Sequence, residues 1–245
     1  MVLSLAGLVD PGASAAALHE ANVARPARLA AAAAAEDVRR FVHLSSMSVF
    51  GKFSDSPLTP NSPLRPENDY GHSRAEGESR LLEVCERTGL SLTIVRSPMV
   101  YGEAGGGFHA LLKLVRSGLP LPLGLASAPR SFCSLANLAS ALVTAASRSD
   151  QSGILMPADP SDLSASEMCA MIGDALGRRP RLAPVPPAAM KILLSFGGQE
   201  DRYRSLFEPM QIDRAHWDDW GWVPTQTAAA GIAEAVHAGS DPDAR

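Results

Sequence analysis

The segment Tyr70-Gly-His-Ser-Arg74 has the residue types and the spacing that acid–base chemistry requires. In a helix that starts at or just before Tyr70, residues 70 and 74 lie one turn apart on the same face. A cation beside a phenol favours the phenolate, and such a tyrosine can exchange a proton with a substrate hydroxyl or ketone. Ser45 and Ser46 lie upstream and could hydrogen-bond the same oxygen. The alternative is a helix N-terminus with a packed tyrosine and a solvated arginine.

The surrounding sequence predicts the elements that must position these residues. Apolar runs alternate with helix-forming segments in the order β-α-β-α-β, which is typical of a parallel sheet. Hydroxyl side chains at a strand end lie at the carboxyl edge, where open α/β sheets carry their chemistry. We expect the glutamates of the second helix, Glu78 among them, to face solvent. The predicted strands are residues 2–5, 39–44 and 90–96, and the predicted helices are 15–37, interrupted at Pro26, and 74–88.

The second half of the chain is less regular and predicts mainly helices. Gly102-x-x-Gly105-Gly106-Gly107 follows a strand and precedes a helix, but its glycine spacing differs from that of a dinucleotide-binding turn. We interpret it as a flexible loop on the substrate side, with a dinucleotide cradle as the alternative. Residues 239–245 are expected to be a disordered tail. The predicted helices are 108–117, 135–147, 164–176, 186–196 and 226–236.

Composition and charge exclude several classes of protein. With 46% hydrophobic and 20% charged residues among 245, the chain can bury a sizeable core. The net charge is −4 and no basic stripe occurs, which argues against a nucleic-acid partner. No window of about 20 apolar residues predicts a membrane span. Cys85, Cys133 and Cys169 lie far apart, which argues against a disulfide scaffold or a metal site and fits a cytoplasmic protein.

Several longer motifs follow one another in order along the chain. They are His43-Leu-Ser-Ser-Met-Ser-Val-Phe-Gly51, Tyr70-Gly-His-Ser-Arg-Ala-Glu-Gly-Glu78, Ile94-Val-Arg-Ser-Pro-Met-Val-Tyr-Gly102, Arg130-Ser-Phe-Cys-Ser-Leu-Ala-Asn-Leu138 and Trp220-Gly-Trp-Val-Pro224, with Asn22-Val23 upstream. Over nearly the whole chain they resemble the extended short-chain dehydrogenase/reductases, the NAD-dependent epimerase/dehydratase family. Within that family, residues 108–124 and 163–187 are most similar to bacterial UDP-hexose 4-epimerases and 4-keto-reductases of surface-polysaccharide synthesis.

The resemblance implies an α/β fold with a doubly wound, Rossmann-like parallel sheet and a small, mostly helical C-terminal substrate lobe. Residues 1–100 would form a partial NAD(P)-binding domain, and residues 101–238 a mixed substrate-binding lobe with segments that return to the sheet. The family opens with a glycine-rich turn that holds the cofactor pyrophosphate. Here only four residues precede Leu5-Ala6-Gly7, which matches the family's Leu-Ala-Ala motif. We therefore expect this part of the fold to be missing and strand 2–5 to be an unpaired edge.

The resemblance also implies roles for individual residues. Tyr70 is the acid/base, Ser46 orients the substrate, and Arg74 replaces the family's lysine, which binds the nicotinamide ribose. Arginine keeps the charge but presents a planar fork. Arg130 matches the arginine that the family directs at the nucleotide diphosphate, and Asn137 replaces the usual aspartate of that motif. Further cofactor-binding residues implied by the resemblance are Leu5, Ala6, Asn22, Ser45 and Pro98, besides Tyr70 and Arg74.

The implied function is NAD- or NADP-dependent hydride transfer at C4 of a UDP-hexose, with a homodimer as one assembly. Epimerase and 4-keto-reductase stay open, because they differ in sugar rotation and cofactor retention. The alternative is a catalytically inactive remnant that binds a nucleotide sugar or a partner protein, which the missing glycine motif and Arg74 favour. Two interpretations without a functional role also stay open: Asn22 as a helix residue that faces water, and Arg130 as a surface arginine.

Overall fold

The computed structural model describes residues 1–10, 12–102, 106–148, 151–196 and 199–238. Two predicted segments lie outside the described residues: the tail over 239–245 and residues 103–105 of the glycine-rich loop. Four of the strands form the main sheet and two form a second, smaller sheet. Within the described ranges the strands are β1 (Val2–Ser4), β2 (Arg40–Ser46), β3 (Ser91–Ser97), β4 (Met99–Tyr101), β5 (Phe132–Ser134) and β6 (Gly153–Leu155).

The main sheet is parallel throughout and has the strand order β1-β2-β3-β6. β2 and β3 pair along their whole length, from Arg40 opposite Ser91 to Ser46 opposite Ser97, so both strands end side by side. β4 and β5 form the separate parallel pair. Parallel strands need crossover connections, and helices supply them here. The predicted α/β, Rossmann-like fold class is confirmed.

The first helical region adapts to the proline that was predicted to interrupt it. α1 (Ala15–His19) continues into a π-helical turn (Glu20–Ala24), and α2 (Arg25–Ala35) follows with Pro26 in its first turn. Because proline has no N–H to donate, the ladder widens before it, and the Arg25 N–H bonds to the Glu20 carbonyl oxygen. The later helices are α3 (Asp69–Thr88), α4 (Gly106–Ser117), α5 (Leu135–Ser147), α6 (Ala165–Ala175), α7 (Pro187–Phe196), α8 (Glu200–Phe207), α9 (Trp217–Trp220) and α10 (Ala228–Ala238).

Apolar clusters bury both faces of the main sheet. On one face α2 and α3 cover the strands, and Leu81 and Phe41 belong to the same cluster. On the other face α5 packs with the three tryptophans of the C-terminal segment, Trp217, Trp220 and Trp222, all of them buried. α4, α6 and α10 enclose a separate cluster that includes residues of β4 and β5. The main sheet is therefore a rigid platform whose strand ends can hold a site.

Two element boundaries that matter for chemistry differ from the predictions. α3 starts at Asp69, just before Tyr70 as the Tyr70–Arg74 pairing required, and not at residue 74 as the range 74–88 predicted. Asn68 caps it by accepting a hydrogen bond from the Gly71 N–H at 2.8 Å. β2 continues through Ser46, beyond the predicted end at residue 44, because its pairing with β3 extends that far. Tyr70 therefore lies in the first turn of α3, and Ser46 lies at the carboxyl end of β2.

The chain returns to the main sheet after forming the smaller one. β6 pairs with β3 on the side opposite β2, although it follows β4 and β5 in the sequence. The division into a domain over residues 1–100 and a lobe over 101–238 stays a prediction. Across the described residues, no helix is long and apolar enough to cross a membrane, and no three His, Cys, Asp or Glu side chains are grouped to hold a metal.

Candidate active site

Tyr70 and Arg74 are in contact on one face of α3, near its N-terminal end. Arg74 Nε donates to the Tyr70 hydroxyl oxygen at 3.3 Å, and the guanidinium carbon lies 5.3 Å from the centre of the tyrosine ring. The i, i+4 spacing of a helix produces this contact, and the ring face adds a cation–π attraction. The half-buried phenol therefore lies beside a fixed positive charge.

Arg74 is only 5% exposed although its head group is charged. Its Nη1 donates to the Leu44 carbonyl oxygen at 3.1 Å, which ties α3 to β2. The interpretation of Arg74 as a solvated arginine is therefore wrong. The guanidinium connects the helix that carries Tyr70 to the strand that ends at Ser46.

Ser46 has a hydroxyl hydrogen that is available to a ligand. Its Oγ accepts a hydrogen bond from the Ser48 N–H at 3.2 Å and so caps the short 3-10 turn Met47–Phe50. No described residue accepts a hydrogen bond from the Ser46 hydroxyl. α3 lies close to this turn, since a Cβ on Gly71 would be 2.6 Å from the Ser48 carbonyl oxygen. The turn that follows Ser46 and the first turn of α3 are thus in contact.

Ser45 belongs to a buried polar cluster that the sequence did not predict. Its hydroxyl donates to Glu78 Oε1 at 2.5 Å, and Glu78 Oε2 pairs with Arg96 Nη2 at 2.7 Å. The two charged side chains are 3% and 6% exposed. The prediction that Glu78 faces solvent is wrong, because Glu78 lies on the face of α3 that carries Arg74, one turn further along. The four-residue spacing was the signal that could have placed it there.

His43 of β2 lies under the influence of the Arg74 charge. The ring is fully buried, its Nδ1 is 3.3 Å from Ser4 Oγ, and no described residue bonds to its Nε2. Burial lowers the pKa of His43 from 6.5 to about 3, and the Arg74 charge contributes a smaller part of the same shift. The imidazole is therefore neutral at physiological pH, and the sequence analysis had not selected it.

Asn22 connects the loop after β1 to α3 and is completely buried. Its Oδ1 accepts from the Leu8 N–H at 2.8 Å, while its Nδ2 donates to the Leu8 carbonyl oxygen and to Ser73 Oγ, both at 3.0 Å. The interpretation of Asn22 as a residue that faces water is therefore wrong. The amide holds the loop after β1 against α3, and a cofactor contact of its own stays a prediction.

The other predicted cofactor residues lie at two places along the carboxyl side of the sheet. Leu5 and Ala6 directly follow β1 and are exposed. Ala6 and Gly7 line a cavity of about 640 Å³ between this segment and α1 and α2. Pro98 is half-buried and separates β3 from β4. Contacts of Leu5, Ala6 and Pro98 with a cofactor stay predictions.

Arg130 is bonded to other segments than the one that carries Tyr70. Its Nη1 donates to the carbonyl oxygens of Glu208 at 2.7 Å and Lys52 at 3.2 Å, and no described hydrogen bond or ion pair joins it to Tyr70 or Arg74. Burial lowers the pKa of Arg130 to about 10, against an opposing effect of the Glu208 charge. No described carboxylate forms an ion pair with it. Arg130 is thus a half-buried cation bonded to neutral oxygens, and its contact with a diphosphate stays a prediction.

Asn137, in the same motif as Arg130, anchors the C-terminal segment. Its Nδ2 donates to Asp159 Oδ1 at 2.7 Å and to the Gln226 carbonyl oxygen at 3.0 Å. Its Oδ1 accepts from the Thr225 N–H at 2.7 Å. An aspartate here would lack the donor and would face the Asp159 carboxylate. The departure from the family motif therefore suits the packing of this chain.

The comparisons with known proteins agree with this fold. The profile of the NAD dependent epimerase/dehydratase family matches residues 1–155. The UDP-glucose 4-epimerase of Vibrio cholerae is 30% identical over 226 residues, which make up 90% of this chain and 69% of that protein. The crystal structure of UDP-N-acetylglucosamine 4-epimerase from Bacillus cereus has a TM-score of 0.79 at 16% identity and covers 98% of this chain and 78% of its own. MoeE5 in complex with UDP-glucose and NAD has a TM-score of 0.75 at 23% identity, with 96% and 77% covered.

The two solved structures share the fold of this chain. The range that the family profile matches includes Ser46, Tyr70, Arg74 and Arg130, whose individual roles stay predictions. It also extends over more than half of the sequence. The chain therefore belongs to the NAD dependent epimerase/dehydratase family.

Proposed function

We propose that this protein catalyses NAD- or NADP-dependent hydride transfer at C4 of a UDP-hexose, as a 4-epimerase or a 4-keto-reductase. The observation that carries the proposal is the Tyr70–Arg74 pair, in contact with the turn that follows the available Ser46 hydroxyl. The names of the relatives support the substrate class, since the Vibrio cholerae relative is a UDP-glucose 4-epimerase. A cytoplasmic enzyme of surface-polysaccharide synthesis, working as a homodimer, fits this proposal.

Tyr70 exchanges the proton of the sugar hydroxyl. As a phenolate it accepts the proton while the C4 hydroxyl becomes a ketone, and as a phenol it returns the proton in the reverse step. The Tyr70 hydroxyl accepts a bond from Arg74 Nε, and no described residue accepts from it in return. Arg74 holds the Tyr70 oxygen through that bond and places its positive charge beside the reacting oxygen.

Ser46 positions the same sugar oxygen. Its Oγ is held by the Ser48 N–H, so its hydroxyl hydrogen is left for the substrate. A hydrogen bond donated by Ser46 and a hydrogen bond shared with Tyr70 orient the C4 oxygen between the end of β2 and α3. Fixed donors of this kind stabilise charge that develops on oxygen during the reaction.

The described residues fit one end of a dinucleotide. Arg74 and Tyr70 have the charge and the hydroxyl that suit a nicotinamide ribose, and Ala6 and Gly7 border a cavity beside them. A bound nicotinamide would supply the hydride acceptor and donor at the sugar. A glycine-rich turn that leads from a strand into a helix and could hold the pyrophosphate is not found in the described ranges, so we assign no residues to that end.

The second candidate function is a catalytically inactive protein that binds a nucleotide sugar or a partner. Two observations favour it: Arg74 stands where the family resemblance implies lysine, and the described residues contain no glycine-rich pyrophosphate turn. In that case Arg130 would still recognise the diphosphate of a UDP-sugar. Binding without turnover would then be the whole activity.

Replacing Tyr70 with phenylalanine tests the proposed function in the full chain. Incubation with UDP-glucose and NAD or NADP, followed by chromatography of the sugars, should show turnover that Tyr70→Phe lowers by roughly 10²–10⁴-fold, because a positioned acid/base contributes that much. Tyr203→Phe, on α8, is the matched control and should keep full turnover. A loss below ten-fold in Tyr70→Phe would remove Tyr70 from the mechanism. UDP-glucose binding without any turnover of the parent would favour the second candidate.

A further inference from the structure

The Arg74 guanidinium occupies the space where any side chain at position 7 would begin. A Cβ built on Gly7 would overlap Arg74 Nη2 and would lie 2.9 Å from Cζ and 3.0 Å from Nη1. Real Cβ atoms essentially never come closer than 3.0 Å to another heavy atom. Gly7 follows β1 and Arg74 lies on α3, so this contact joins two elements that are distant in the sequence.

The guanidinium cannot move aside at low cost. The end of a flexible arginine normally yields to a new methyl group, but here two hydrogen bonds hold it, from Nη1 to the Leu44 carbonyl oxygen and from Nε to the Tyr70 hydroxyl. The residue is also 5% exposed, so solvent offers no alternative position. A displaced Arg74 would lose both bonds and its place beside Tyr70.

The requirement for glycine at position 7 is one of space. Its φ lies outside the left-handed region that favours glycine, so alanine could adopt the same backbone conformation. At such a position, glycine to alanine normally stabilises a protein, because it restricts the unfolded chain. Any loss of stability in Gly7→Ala must therefore come from the side chain that it meets, which is Arg74.

We infer that Gly7 is a positioning residue: its missing side chain lets an arginine, with its planar fork, take the place beside Tyr70. Lysine at position 74 would carry a single ammonium and no fork, and would leave room for a methyl group at position 7. Arg74 is thus a built part of the site that depends on Gly7. This inference rests on the proposed function, because only that function makes Tyr70 and Arg74 an active site. The spatial dependence of Arg74 on Gly7 can nevertheless be tested without turnover.

A double-mutant cycle in the full chain tests this dependence, with urea unfolding as the measurement. Gly7→Ala should lower the folding equilibrium constant about ten-fold to a hundred-fold, as overpacking does, whereas in the Arg74→Lys background it should change it by less than about three-fold. Gly12→Ala, in the same loop and with no atom nearer than 3.4 Å, is the matched control. If Gly7→Ala does not fold, folding of the double variant supports the inference. Equal losses in both backgrounds, no loss at all, or a double variant that also fails to fold would overturn it.

A spectroscopic signal distinguishes positioning from stability alone. The chain has three tyrosines, so ¹³Cζ-labelled tyrosine gives three NMR signals, and Tyr70→Phe assigns one of them. Gly7→Ala should move the Tyr70 signal and leave the signals of Tyr101 and Tyr203 in place. In the Arg74→Lys background, adding Gly7→Ala should move none of the three signals relative to Arg74→Lys alone. An unmoved Tyr70 signal contradicts the inference. Because no cofactor or turnover is needed, a failure here is separate from a failure of the proposed function.

Discussion

The surroundings of Arg130 are compatible with two roles, one in holding the fold and one in binding a ligand. Its guanidinium joins the carbonyl oxygens of Lys52 and Glu208, which belong to separate segments, so it holds the fold locally. It is also a cation without an ion pair in the described structure, and burial lowers its pKa to about 10. A nearby anion offsets part of the free-energy cost of burying such a charge. A diphosphate next to it would supply one.

Arg130→Ala should weaken UDP binding by roughly 10-fold to 150-fold, since a charge-assisted hydrogen bond contributes about 1.5–3 kcal/mol and about 1.4 kcal/mol is a factor of ten. Arg130→Lys should recover only part of the affinity, because a point charge replaces a fork. Isothermal titration with UDP measures both, and Arg181→Ala, an exposed arginine, is the matched control. Equal affinities in all variants, or a parent that does not bind UDP, would refute the assignment.

β2 contains a buried titratable group, His43, in the middle of the strand. The folded-state pKa of His43 is about 3, whereas the ordinary value is 6.5. Between these two values the unfolded chain binds a proton that the folded chain does not. Acid therefore favours unfolding, and the stabilisation that depends on neutral His43 is lost as the pH falls from 6.5 toward 3.

Stability at pH 5 should thus be about 2 kcal/mol below that at pH 7.5 on account of His43 alone. Urea unfolding at the two pH values measures it. In His43→Leu the difference between the two pH values should shrink by about that amount, while the exposed His72→Gln, on α3, should keep it. Burial also lowers the pKa of His216, so His216 contributes to the loss of stability in acid. This contribution is present in every variant and cancels when the variants are compared. An unchanged difference in His43→Leu would show that folding does not lower the pKa of His43.

At the scale of the whole molecule, the main sheet ends in two edge strands, β1 and β6, and β1 has exposed apolar residues beside it. β1 pairs with β2 on one side and with no described strand on the other. Leu3 is 42% and Leu5 46% exposed along this edge. An unpaired apolar edge offers its N–H and C=O groups to any further strand. The edge is therefore a surface through which we expect copies of this chain to associate.

Sedimentation velocity at micromolar concentrations should show association of the parent that increases with concentration. Leu3→Lys should reduce it, because a charge on an edge strand disfavours pairing. Leu119→Lys, at a site that is 65% exposed in the C-terminal part, is the matched control and should leave association unchanged. A parent that stays monomeric over the whole range would contradict the prediction.

The sequence by itself determined the features that depend on local spacing. The alternation of strands and helices led to the parallel sheet, since helical and extended periods are visible in single segments. The contact of Tyr70 with Arg74 followed from four-residue spacing on one helix. The order of the motifs was enough for the family, which the match to residues 1–155 confirms. Each of these inferences needed only neighbours along the chain or the order of segments.

The tertiary structure alone decided which distant residues meet. Glu78 was predicted to face solvent, yet it pairs with Arg96 because the crossover from α3 to β3 brings that strand beneath the helix. Gly7 and Arg74 lie far apart in the sequence, and only the fold shows that the space left by one is filled by the other. Contacts between elements depend on crossover geometry and packing, and spacing along the chain does not encode either of them.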